Sequence, residues 1–151
     1  MNSLLNHSIK TLLLLMVIIF SSINAQEEEK QIVGKLFDKA EADSLYGEVL
    51  RTDTLQTEVL EGLLKHTTNY MMFKMVDGRL IVRNDNQATI YGNNASNDAE
   101  PFNVYSKSKI EELIEKGGKE NTIFEMRKKV LTITNGNTTL ELTQPCPPFC
   151  H

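Results

Sequence analysis

Residues 70–91 read YMMFKMVDGRLIVRNDNQATIY, and the fold turns on this stretch. Two runs rich in apolar residues, NYMMFKM and RLIVR, flank Asp77-Gly78. An Asp-Gly pair between such runs marks a tight hairpin, because its two central positions need positive φ. Asn84-Asp85-Asn86 then breaks the second run, and QATIYG supplies a third strand. Upstream, QTEVLEGLLKHT spaces Val59, Leu60, Leu63 and Leu64 at helical intervals, with Thr57 the expected N-cap. The segment therefore reads as one helix followed by three antiparallel strands.

The same pattern returns 51 residues later. Met71 to Tyr91 aligns without a gap on the downstream stretch, placing Phe73 on Phe124, Met75 on Met126, Leu80 on Leu131 and Val82 on Ile133. Asn84 falls on Asn135 and Asn86 on Asn137. A one-residue slip before the strands brings Leu60, Leu63 and Leu64 onto Ile110, Leu113 and Ile114, and Gly117-Gly118 stops the second helix. Matching core and turn positions are what a duplicated structural unit retains.

Short segments, EVLR (48–51) and FNVYS (102–106), precede the helices, and each is expected to add a strand. The fold class is α+β: two tandem helix-plus-three-strand (αβββ) units, 48–92 and 102–144, forming one antiparallel sheet with the helices on one face. A polar loop, 93–101, joins them. On the second-unit strands Glu125, Arg127, Thr132, Thr134 and Glu141 alternate outwards and read as a solvated face. The matching first-unit face carries Tyr70, Met72, Lys74, Val76 and Ile81. That apolar face is expected either to lie under the N-terminal segment or to bind a partner.

The first 25 residues have the layout of a secretory signal peptide. Lys10 and the chain amine give a positive start, Leu12 to Phe20 is unbroken and apolar, and Ser21 to Ala25 forms a cleavage region. The apolar run is too short to span a bilayer, which takes about 20 residues. Cleavage after Ala25 removes one lysine from a chain of net charge −4, leaving 126 residues at −5. That is one domain, expected in the periplasm or outside the cell, with no membrane span after cleavage. Without a basic stripe, nucleic acid is not an expected partner. Residues 26–47 form an N-terminal segment with a short helix from Asp38 to Leu45, where Asp38 and Glu41 have the spacing of a capping box.

Little catalytic chemistry is visible. The mature part has only two histidines, His66 and His151, and no nucleophile-elbow, zinc-protease or phosphate-loop motif. No catalytic residue and no cofactor is assigned, and an enzymatic role is not what the sequence favours. Met71, Met72 and Met75 invite copper(I), but Met75 falls on Met126 in a strand without matching thioethers, so core packing is expected.

The C-terminal tail, residues 145–151, ends in CPPFCH. An even cysteine count in an oxidising compartment predicts a Cys146–Cys150 disulfide, whose five-residue loop is worth about 2 kcal/mol by chain-entropy arguments. Cys146, Cys150 and His151 are alternatively three soft ligands for Zn²⁺ or Cu(I), or a thiol-redox centre. The expected function is an exported, non-enzymatic binding domain whose partner is a protein or a cell-envelope component. The alternative is a periplasmic metal-binding or thiol-redox protein acting through the Cys-x3-Cys-His tail.

Overall fold

The chain runs from β1 (Lys35–Asp38) and α1 (Lys39–Tyr46) into β2 (Val49–Gln56) and α2 (Thr57–Leu64). Then come β3 (Tyr70–Val76), β4 (Arg79–Asn84), β5 (Thr89–Tyr91) and β6 (Phe102–Ser106). Last are α3 (Lys107–Gly117), β7 (Asn121–Arg127), β8 (Leu131–Asn135), β9 (Thr138–Glu141) and β10 (Gln144–Cys146). This computed structural model describes residues 31–93, 101–128, 130–141 and the backbone of 144–146. Ile32–His151 forms one compact unit.

The α+β antiparallel class is as expected, and the hairpin at Asp77-Gly78 forms with both residues at positive φ, 50° and 77°. The strands, however, divide between two sheets instead of joining in one. Their orders are β1-β9-β8-β7-β2 and β10-β6-β3-β4-β5. The reason is an exchange of leading strands. β2, from the first αβββ stretch, pairs with β7 of the second, and β6, from the second, pairs with β3 of the first.

The exchange is symmetric in register. Gln56 lies opposite Asn121, and its counterpart Ser106 lies opposite Tyr70, the counterpart of Asn121. The backbone joins repeat it: Thr57 N–H donates to Glu120 O and Lys107 N–H to Asn69 O, each at 2.7 Å. Each leading strand enters its helix at the point where it meets the other stretch's first strand.

One core serves both sheets. Phe73, Met71, Met75, Leu80, Val82 and Tyr105 of the second sheet pack with Phe124, Leu131, Ile133 and Leu140 of the first. α2 contributes Leu60, Leu63 and Leu64, and α3 contributes Ile110 and Leu113, so the helical spacing read from the sequence does mark the buried stripes. Met71 and Met75 are core residues, and Met126 packs at its margin.

Details at the helix starts differ from expectation. Thr57 is the first helical residue and Gln56 the N-cap; the Thr57 hydroxyl instead donates to Lys119 O at 2.8 Å. Asp38 occupies the N-cap of α1 but makes no side-chain cap bond. α3 ends as expected, with Gly118 left-handed at φ 59° and its N–H on Ile114 O. Gly117 is required by proximity: a Cβ there would meet Asn135 Oδ1 at 2.2 Å.

The outer face of the first sheet corrects the sequence reading. Glu125, Arg127, Thr132, Thr134, Thr139 and Glu141 are all buried, not solvated. α1 supplies the contacts that close it, placing Ala42 at 0% exposure and reaching Glu125 through Lys39 and Arg127 through Asp43. Strand alternation shows which residues point away from the core, but not whether another element then covers them.

Candidate functional site

The sequence-based site lies in the tail, and the structure places its first residue. β10 pairs antiparallel with β6 at the edge of the second sheet, Gln144 opposite Val104 and Cys146 opposite Phe102. Pro145 falls within this edge strand, where a missing N–H is tolerated. Cys150 and His151 lie outside the described residues, so neither the disulfide nor the metal set can be placed further.

Phe102 belongs to the apolar outer face of the second sheet. It clusters with Met72, Ile81 and Val104, and Tyr70 and Val76 pack against them. Every member comes from β3, β4 or β6, with no helix residue among them. The Arg83 guanidinium sits 4.3 Å from the Phe102 ring centroid and Lys74 Nζ 5.6 Å from it, on the face of the ring that attracts cations. Met72, Ile81, Phe102 and Val104 are buried, and Tyr70 and Val76 half-buried. The described N-terminal elements β1 and α1 pack instead on the first sheet, as their pairing and ion pairs show. β10 thus holds the start of the tail beside an apolar, cation-edged face.

A second candidate arises where the sheet margins meet. Asp53 on β2 reaches across to β4, its Oδ2 accepting the Leu80 N–H at 2.7 Å while Oδ1 accepts the Thr54 N–H at 2.8 Å. Beside this bridge opens a cavity of about 690 Å³ lined by Asp53, Val76, Asp77, Arg79, Leu80, Ile81, Tyr91, Gly92 and Asn93. Gly92, at φ 80°, is packed so closely on β4 that a Cβ would lie 2.4 Å from Leu80 O. Only glycine brings the Tyr91-Gly92-Asn93 wall this near. Sequence reasoning took Asp77 and Gly78 as turn residues only. The overlooked signal was the opposite charges of Asp77 and Arg79 on either side of the glycine.

Beneath α1 lies the densest polar arrangement. Glu125 Oε2 accepts from Arg127 Nη2 at 2.9 Å, Thr134 Oγ1 at 3.1 Å and Thr132 Oγ1 at 3.2 Å, and its Oε1 lies 3.6 Å from Lys39 Nζ. Arg127 also donates to Asp43 at 2.6 Å and to Gly47 O. The Arg127 guanidinium holds the Asp43 carboxyl below the usual carboxylate range. Burial, with the Glu141 carboxylate hydrogen-bonded to it, pushes the Tyr46 hydroxyl up to about 12. Lys39 and Arg127 face the carboxylates of Asp43 and Glu125, so the network fixes α1 to the sheet.

His66 follows α2 and donates its backbone N–H to Leu63 O, at the helix end where the sequence placed it. Among the described residues, no three His, Cys, Asp or Glu side chains converge as a metal site. No described helix is long and apolar enough to cross a membrane. Comparison with family models, curated proteins and solved structures gives no match to this chain.

Proposed function

We propose that the protein is an exported, non-enzymatic binding domain whose recognition element is the C-terminal tail, held by β10 at the edge of the second sheet. One observation carries this reading: Cys146 is locked in register opposite Phe102, so the remaining tail starts from a fixed strand beside an apolar cluster. A tail that begins on a hydrogen-bonded edge loses less freedom on binding than a loose one. The partner is a protein or cell-envelope component, met in the periplasm or outside the cell after cleavage at Ala25.

The test is cross-linking and co-purification of the exported protein from its native envelope, with intact mass measured before and after reduction. The expected result is one stoichiometric partner, lost when residues 147–151 are deleted, and a two-hydrogen mass gain on reduction of the Cys146–Cys150 bridge. Partner capture unchanged by the deletion overturns the reading. Free thiols that bind Zn²⁺ or Cu(I) stoichiometrically move the assignment to a metal or thiol-redox role of Cys146, Cys150 and His151.

A further inference from the structure

The seam cavity differs from the rest of the surface in how its charges are used. On α3, Lys109 and Lys116 both pair with Glu112 at 2.7 Å; on α1, Lys39 pairs with Asp43. Lining the seam cavity, Asp77 and Arg79 are both exposed and, among the described residues, their side chains form no hydrogen bond or ion pair. The tight turn separates them: Asp77 sits at φ 50° within the two-residue loop, and Arg79 already belongs to β4 opposite Val76. A single site therefore presents one unpaired anion and one unpaired cation.

The remaining lining defines what lies between those charges. Leu80 and Ile81 are buried, Leu80 in the core between the sheets and Ile81 in the outer-face cluster, so the apolar side chains that offer surface are the half-buried Val76 and Tyr91, which is 36% exposed. Asp53 adds a second carboxylate, fixed by its two backbone N–H donors. A guanidinium presents a planar fork suited to a carboxylate, and two carboxylates suit an ammonium. One arginine is far short of a phosphate-polymer site, and the mature charge of −5 disfavours polyanions further.

We propose that this cavity binds a small bipolar ligand, a free amino acid or a short peptide with aliphatic side chains, whose carboxylate meets Arg79 and whose ammonium meets Asp77 and Asp53. The aliphatic side chain packs on the exposed parts of Val76 and the Tyr91 ring. No residue of β10 lines the site, which stands whether or not the tail has a partner.

The experiment is an amide-resolved NMR titration of the exported protein with leucyl-leucine, N-acetyl-leucyl-leucine, leucyl-leucinamide and free leucine. Leucyl-leucine is expected to shift the amides of Leu80, Tyr91 and Gly92 saturably. Blocking either terminus should weaken binding about tenfold, the order expected for one charge-assisted contact. Arg79→Gln should weaken leucyl-leucine about as much while leaving leucyl-leucinamide unaffected, and Asp77→Asn should behave likewise towards the acetylated form. Asparagine tolerates the positive φ at position 77, so the turn survives. Free leucine binding as well as the dipeptide identifies an amino-acid ligand; dipeptide binding alone identifies a peptide. Absence of shifts at these amides up to about 10 mM, far weaker than a specific site, or equal binding of blocked and unblocked peptides, overturns the proposal.

Discussion

The rings of Phe73 and Phe124 lie 5.3 Å apart, centroid to centroid, at an interplanar angle of 34°. They hold the same position in the two αβββ stretches and come from different sheets, so this contact is where the two halves of the core meet. Both are fully buried. Phe73→Ala and Phe124→Ala should each cost about 3–5 kcal/mol. The double variant should lose less than the sum, because the two cavities merge. Denaturant unfolding of the four proteins measures both values.

Asn135 and Asn84 align in sequence but are used differently. Asn135 is 0% exposed; its Nδ2 donates to Thr57 Oγ1 and Thr122 Oγ1, and its Oδ1 accepts the Lys119 N–H. Asn84 Oδ1 accepts the N–H groups of Asn86 and Ala88 in an exposed turn. Asn135→Ala should cost about 2–3 kcal/mol and Asn84→Ala about 1 kcal/mol, since only the first strands buried polar groups. Equal losses in thermal unfolding would remove the distinction.

Arg127, 1% exposed, is the shared partner of Glu125 and Asp43. Arg127→Met should cost about 3–5 kcal/mol by leaving the Glu125 carboxylate buried with one cation fewer. Adding Glu125→Gln to it should recover part of that loss, a coupling that a double-mutant cycle reads directly.

Tyr46 and Glu112 each contribute a pH dependence. The Tyr46 proton is held more tightly in the folded state, so its contribution is complete below the ordinary tyrosine value of 10 and disappears as pH rises through about 12. Ultraviolet titration should show a late-ionising tyrosine, shifted down but still above 10 in Glu141→Gln, because burial is the larger cause. Glu112, hydrogen-bonded to Lys109 and Lys116, is lowered to about 2. Its contribution is present above the ordinary value of 4.5 and is lost as pH falls towards 2, and the shift should shrink in about 1 M salt because the site is exposed. Carboxyl NMR titration at low and high salt checks it.

The local elements were largely legible in the amino-acid pattern. Asp77-Gly78 identified the hairpin, Leu60, Leu63 and Leu64 the buried side of α2, and Gly117-Gly118 the end of α3. The pairing was not legible. Period-two alternation divides the side chains of FNVYS into two sets but is silent on which set faces the core, where Tyr105 lies, and on which strand lies beside them. The burial of Glu125 and Arg127 escaped for a related reason: α1 adds only Ala42 to an otherwise polar interface, so its eight residues carried no apolar stripe pointing to a cover. The seam cavity depends on the same pairing, since Asp53 reaches Leu80 only because β2 left its own stretch.

The exchange of β2 and β6 also bears on how the chain can be divided. A break between Gly92 and Phe102 would give two fragments, the first with α1 and α2 and the second with α3, each holding only part of either sheet. Neither fragment could fold before meeting the other, and mixing them should restore the native sheets by complementation. The protein would then behave as a two-piece reporter whose signal depends on proximity, with assembly slow because β2–β7 and β3–β6 pair segments far apart in sequence.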